Sequence, residues 1–198
     1  MTIDSEWDNI LSIRTTGRDD SIADLVRFPY EPTDYCVLER LANSGYFTKR
    51  NTLLDYGCGK GRVDFFLASQ TKCRAIGIEY NPRLYERALQ NKEQGVAGGR
   101  VTIELADATE YEVPAAVDRV FFFNPFSVEI LRLVLGHLQQ SYRENPREML
   151  LFFYYPSEYY RRYLEAAENF EAVERIFCGD LFPKSDGREE VLVYKIAS

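Results

Sequence analysis

Histidine is almost missing from this chain, with His137 its only copy, and the four cysteines, Cys36, Cys58, Cys73 and Cys178, form no CxxC pair and have no histidine partner. These scarcities leave no ligand set for a metal and predict free thiols, as in a reducing cytoplasm. They also leave no Ser-His-Asp or Cys-His nucleophile. His137, set in ILRLVLGHLQQSY, reads as a helix-surface or partly packed residue rather than a base. No apolar run is long enough to cross a bilayer, and MTIDSEWDNI opens on acids where a secretory leader needs a basic start. The expectation is a soluble, cytoplasmic protein.

Basic residues are also in short supply: 24 Lys and Arg against 31 Asp and Glu give a formal net charge of -7. Nucleic-acid affinity depends on cations displacing condensed counterions, so this balance argues against a broad nucleic-acid face, though not against a local groove. The Arg161–Arg162 pair sits among acids and predicts a solvated helix face. Repeats, low-complexity tracts and linkers are absent, and 45% hydrophobic residues in 198 suffice for one sizeable core. One domain is expected over 33–198, with 1–32 an N-terminal extension or lid.

What is present is an alternation of short β-branched and aromatic runs with longer helical patterns, as a parallel α/β sheet requires. Seven strands are expected at 52–57, 74–80, 101–106, 119–124, 148–155, 171–177 and 190–196. Several are apolar almost throughout, so helices should cover both faces. Helices are expected over Thr33–Asn43, Gly61–Ser69, Pro82–Gln94, Ser127–Tyr142 and Ser157–Glu168, with Asn81, Ser127 and Ser157 as N-caps. The segment CGDLFPKSDGRE is too short for a crossover helix, so the last two strands should pair as an antiparallel hairpin. The fold class is therefore α/β: a seven-stranded, mostly parallel, Rossmann-like sheet of five strands linked by helices and a closing hairpin.

The chemistry concentrates in LLDYGCGKGR, where the first strand meets its helix. Gly57, Gly59 and Gly61 allow a tight turn and close approach of backbone to a ligand, at the place where open α/β sheets bind nucleotides. Glu79, ending the second strand in GIEYN, stands roughly twenty residues beyond the glycines, where a carboxylate can accept both hydroxyls of a ribose. The dinucleotide fingerprint fails because Arg62 occupies its third glycine position, and the P-loop fails because no Ser or Thr follows Lys60.

An acid two residues before three alternating glycines, DYGCGKG, resembles the motif of class I S-adenosylmethionine-dependent methyltransferases. Glu79 is similar to that family's ribose-binding acid, Asp107 in LADAT to its adenine-contacting acid, and FFFNPF to its substrate-side motif. The likeness, strand plan included, covers roughly residues 33–197. It implies S-adenosyl-L-methionine as cofactor and methylation of a nitrogen or oxygen on a small molecule or protein. It further implies that Asp55 orients the loop and the cofactor's amino group, and that Tyr56, Gly57, Cys58, Gly59 and Gly61 line its methionine and ribose. Glu79 would hold the ribose, Tyr80 would pack on adenine, and Asp107 with Ala108 would read the adenine edge. Asp107 also fits a turn or cap acid, and Tyr80 a core-edge residue. The alternative function is a non-catalytic cofactor-binding module or complex subunit.

Asn124 and Pro125 are the catalytic candidates, with Asn124 also near the cofactor. They offer an amide oxygen and a carbonyl freed from regular pairing to orient an acceptor N–H, or they merely end a strand. The family's amine-methylating motif has two prolines; this chain has one. In FPYEPTDY, Tyr30, Thr33 and Tyr35 fit a lid over the cofactor or a staple for the first helix. Strand alternation places one of Tyr154 and Tyr155 at the cleft and the other beneath a helix.

Overall fold

The segments TLLDY, RVFF and LLFFY are buried at every position, so the strands they form must be covered on both faces. The computed structural model describes residues 3–19, 28–185 and 187–197 and shows this arrangement. Seven strands, β1 Thr52–Tyr56, β2 Arg74–Glu79, β3 Val101–Leu105, β4 Arg119–Phe122, β5 Leu150–Tyr154, β6 Phe170–Phe177 and β7 Glu190–Ile196, make one sheet. Their order is β3-β2-β1-β4-β5-β7-β6. The first five are parallel, and β7 runs antiparallel to both neighbours. The expected hairpin forms, with β7 inserted between β5 and β6.

Alternation along the strands divides the core in two. Leu53, Phe121 and Phe152 point to a face covered by α1 Ile3–Leu11, α2 Tyr35–Ala42, α3 Arg62–Thr71 and α4 Pro82–Gln94. Leu54, Phe122 and Phe153 point to the other, beneath α5 Val128–Glu144 and α6 Glu158–Ala166. On that second face Tyr56, Phe122 and Phe153 stack across three strands, with centroids 5.2 and 4.8 Å apart and planes within 5°. Each such aromatic contact contributes about 0.5–1.5 kcal/mol beyond its buried area. The stack locks the register of the strands whose ends form the site.

Asn81 caps α4 by accepting from Arg83 N, ahead of Pro82, and Ser157 caps α6 by accepting from Tyr160 N. Ser127 precedes α5 but makes no capping bond.

Four features depart from the sequence expectations. Helix α1 is unforeseen. Residues 106–118 cross from β3 to β4 without a helix, and Tyr111, Val113 and Val117 pack against the second core cluster in its place. Arg161 is only part-exposed and pairs with the buried Glu190, as does Arg175, while Arg162 pairs with Glu158 on the surface. Tyr155 does not alternate with Tyr154, because it turns to φ 47°, and both rings pack on the same core cluster.

Residues 20–27 of the expected extension lie outside the described residues, so the 1–32 segment is described only in part. Leu11 and Ile13 belong to the first core cluster.

Candidate functional site

Strand order reverses at β1, between β2 and β4. A cleft opens there at the carboxyl ends of the strands, where open α/β sheets place ligands. The loop leaving β1 is pinned by its own backbone: Gly57 N and Cys58 N both donate to Ile78 O, and Gly61 N donates to Cys58 O. Gly57 and Gly59 take φ values of 73° and 58°, in the left-handed region that favours glycine. A Cβ at Gly57 would come 2.7 Å from Pro125 Cβ, and one at Gly59 2.0 Å from the Tyr30 ring. The loop therefore lies between the β4 turn and the N-terminal segment with no room for side chains.

Glu79 is buried at the end of β2, and its carboxylate splits between two backbone donors: Oε2 accepts from Gly59 N and Oε1 from Asn81 N, both at 2.8 Å. Burial raises its pKa, and the amides of Asn81, Gly59 and Tyr80 oppose the rise. The acid thus ties the glycine loop to the start of α4 while facing the cleft.

Beneath the loop, Asp55 and Asp64 of α3 are buried together, and neither Asp64 oxygen has another hydrogen-bond partner among the described residues. Burial pushes Asp55 up to about 7; the hydrogen bond to Asp64 restrains the rise and the charge of Glu79 adds to it. Asp64 is held well above the usual carboxylate range by burial, then by the charge of Asp55 and their shared hydrogen bond. Asp64 therefore keeps its proton while Asp55 titrates near neutrality. The absent side chain of Gly77 makes room for it, since a Cβ there would meet Cys58 and Asp64 at 2.8 and 2.9 Å.

Of the residues singled out in the sequence, Asp55, Tyr56, Gly57, Cys58, Glu79, Tyr80, Asp107, Ala108 and Pro125 line the cleft. The ring of Tyr56 itself stacks in the core on Phe122. Tyr80 is 47% exposed at the cleft rim. Asp107 Oδ1 accepts from Thr109 N and Oγ1, the turn-acid arrangement, while the residue lines the cleft. Gly59, Gly61 and Asn124 are not among the lining residues.

The Asn124 amide is occupied by the chain itself. Nδ2 donates to Tyr155 O at 2.6 Å, and Oδ1 accepts from Ser157 N at 3.0 Å. The Pro125 carbonyl accepts from Phe28 N. Asn124, at φ 42°, acts as a clamp between the β4 turn and the start of α6. Tyr154 and Tyr155 do not line the cleft; Phe123, which packs 4.7 Å from Tyr154, does. His137 is half-buried on α5 and does not line it either.

The N-terminal segment supplies the remaining wall. Phe28, Tyr30 and Thr33 line the cleft. Tyr30 lies on Gly59, its hydroxyl donates to Thr15 O, and Lys60 Nζ sits 5.0 Å over its ring. Tyr35 takes the other role weighed for this stretch: it is buried and donates to Asp8 Oδ1, stapling α2 to α1. Arg62, which in the sequence served only to break the dinucleotide fingerprint, is a buried residue of the cleft. Arg62, Asp64 and Gly77 were missed because their partners are remote in the chain.

The cleft presents five acids, Asp19, Glu31, Asp55, Glu79 and Asp107, against one cation, Arg62, among the described residues. That donor and acceptor set, with a glycine cradle backed by Glu79, fits a nucleoside whose tail carries both an ammonium and a carboxylate. No group of His, Cys, Asp and Glu suited to a metal occurs among the described residues. No helix there is long and apolar enough to cross a membrane.

Residues 53–143 match the model of a methyltransferase domain. A protein-lysine N-methyltransferase of Saccharolobus islandicus (strain REY15A) is 29% identical over 89 residues, 44% of this chain and 55% of the relative. The chain thus matches about half the length of that curated relative. An RNA methyltransferase from Salinibacter ruber, solved with S-adenosyl-L-homocysteine, superposes with a TM-score of 0.59 at 19% identity, covering 85% of this chain and 95% of that one. A TehB-like SAM-dependent methyltransferase from Corynebacterium glutamicum gives 0.62 at 18%, covering 84% and 90%. Sheet order, glycine loop and domain match agree: the chain carries a methyltransferase-domain match over residues 53–143 and shares the fold of solved S-adenosylmethionine-dependent methyltransferases.

Proposed function

We propose that this protein is an enzyme that moves the methyl group of S-adenosylmethionine to a nitrogen or oxygen on a small molecule or a protein side chain. The observation that carries the proposal is the Glu79 carboxylate, buried at the switch point and bridging the glycine loop to α4. When bound, the cofactor supplies an electrophilic methyl on sulfur, so the protein needs no nucleophile of its own and contributes alignment and exclusion of water. Glu79 accepts the ribose hydroxyls on its remaining lone pairs, Asp55 receives the tail ammonium, and Asp107 with Ala108 meets the adenine edge beside Tyr80.

Asn124 acts by position. It fixes the β4 turn so that Pro125 closes on Gly57, and Phe123, Pro125 and Phe126 form the acceptor-side wall. Residues 28–33 serve as the lid. The protein-lysine specificity in the relative's name supports a protein side chain as acceptor.

Calorimetry with S-adenosylhomocysteine tests the site. Micromolar binding is expected, and Glu79→Ala should abolish it, because two hydrogen bonds to a charged group are worth about 1.5–3 kcal/mol each. Unchanged affinity in that variant refutes the assignment. Release of S-adenosylhomocysteine on mixing the protein and cofactor with pooled metabolite and protein extracts tests turnover. Tight binding without release from any pool would favour the binding-module alternative.

A further inference from the structure

The stretch FPYEP at 28–32 sets a proline directly after Phe28 and another directly after Glu31. Proline fixes its own φ and holds the residue before it extended, so Phe28 and Glu31 are both stiffened where they line the cleft. Phe28 N donates to Pro125 O at 3.2 Å, tying this rim to the acceptor-side wall of Phe123, Pro125 and Phe126, and the residue is 44% exposed. Glu31 is also exposed, and its carboxylate has no hydrogen-bond or ion-pair partner among the described residues.

Charge at this rim is one-sided. Arg62, the one cation among the described lining residues, is 1% exposed and engaged elsewhere: it donates to Thr15 Oγ1 and Thr33 O, with Asp4 Oδ1 3.2 Å away. Burial and then the charge of Asp4 raise the pKa of Asp34, Arg62 opposes the rise, and the charge of Glu31 adds to it, so the carboxylates of this region repel one another. Aromatic faces beside an uncompensated carboxylate suit an ammonium on an apolar stem, through cation–π attraction and a charge-assisted hydrogen bond. The same rim repels a phosphate or a carboxylate.

We infer that the methyl acceptor is a primary amine on an alkyl stem, held as its ammonium by Glu31 against Phe28 and the wall of Phe123, Pro125 and Phe126. This inference rests on the proposed methyl transfer and narrows its target to an amine nitrogen, a chemistry that a lysine side chain and a free alkylamine share. Before transfer the ammonium gives one proton to water at the mouth of the cleft. The freed lone pair forms the N–C bond as the C–S bond breaks, the C–S electrons stay on sulfur, and the positive charge passes from sulfur to the methylated nitrogen.

The test supplies the protein with S-adenosylmethionine carrying a tritiated methyl and with a cell extract split by ultrafiltration into protein and small-molecule fractions. Each fraction is used untreated and after N-hydroxysuccinimidyl acetate has acetylated its primary amines. Label should enter an untreated fraction and fall to background after acetylation; the retained fraction identifies lysine as the source and the filtrate a free amine. n-Butylammonium should inhibit labelling, and n-butanol at the same concentration and ionic strength should not. Glu31→Gln should raise the extract concentration for half-maximal labelling roughly 2- to 5-fold, as for loss of a charge pair at an exposed rim, and Glu31→Lys should raise it further. Both variants should keep the wild-type affinity for S-adenosylhomocysteine by calorimetry, which a general loss of structure would not. Labelling that survives acetylation, or a half-maximal concentration unmoved in both variants, overturns the inference and leaves methyl transfer standing. No labelling of either untreated fraction overturns it together with the proposed turnover.

Discussion

Asp55 and Asp64 are buried together beneath the glycine loop, and burial lifts both above the ordinary carboxylate range, so Asp64 keeps its proton while Asp55 titrates near neutrality. Because Asp55 titrates at about 7 in the folded chain, above its unfolded value, its contribution to stability is complete below the unfolded pKa and is lost as pH rises through about 7. The isosteric Asp55→Asn variant should therefore gain thermal stability relative to the wild type as pH climbs from 6 to 8. Melting curves of the two proteins across that range check the sign. A constant difference would show that Asp55 does not titrate there.

The same pair sets the pH dependence of cofactor binding. Affinity for S-adenosylhomocysteine should rise as Asp55 ionises through pH 7. Asp64→Asn keeps a donor to Asp55 and should leave the midpoint in place. Asp64→Leu removes that donor and should move the midpoint upward by roughly one pH unit or more, since a hydrogen bond to a charged group is worth about 1.5–3 kcal/mol. Titration calorimetry between pH 6 and 9 reads both midpoints; identical profiles in the two variants would exclude the role given to Asp64.

Gly59→Ala should damage the site from two directions. The added Cβ must adopt φ 58° and would fall 2.0 Å from the Tyr30 ring. The backbone cost alone is about 1–2 kcal/mol, and Tyr30 must also leave its place. A melting temperature lower by several degrees and at least tenfold weaker S-adenosylhomocysteine binding are expected, roughly in line with such a loss.

Tyr30 separates hydrogen bonding from coverage. Tyr30→Phe deletes only the bond to Thr15 O and should cost about 1 kcal/mol of stability with little change in affinity. Tyr30→Ala uncovers the loop and should speed ligand dissociation, as measured by stopped-flow fluorescence. Equal dissociation rates in the two variants would remove residues 28–33 from the role of lid.

Asn124→Ala should behave as a stability mutant. It breaks the bonds to Tyr155 O and Ser157 N and places alanine at φ 42°, at a cost of about 2–4 kcal/mol. A stable variant that binds cofactor normally and loses only turnover would return Asn124 to direct contact with the acceptor.

The strands and most helices were legible because burial on both faces and the 3.6-residue period are written locally, as in TLLDY and in Pro82–Gln94 behind its Asn81 cap. Glu79 and the glycines were legible for the same reason: a strand end and a tight turn are short-range patterns. Helix α1 was not, because its hold on the body comes from residues far along the chain, through Trp7 to Glu39 and Asp8 to Tyr35. The missing β3–β4 helix was equally hidden, since Tyr111, Val113 and Val117 show no period that distinguishes a packed loop.

By itself, then, the sequence determined the sheet, the loop that opens the cleft and the acid beside it, since backbone angles and alternating burial depend on near neighbours. Only the tertiary structure decided which buried polar groups meet: Asp55 with Asp64, Asn124 with Ser157, Arg62 with Thr15 and Thr33. A donor buried by one segment must find its acceptor on another, and that pairing exists only once distant parts of the chain have packed together.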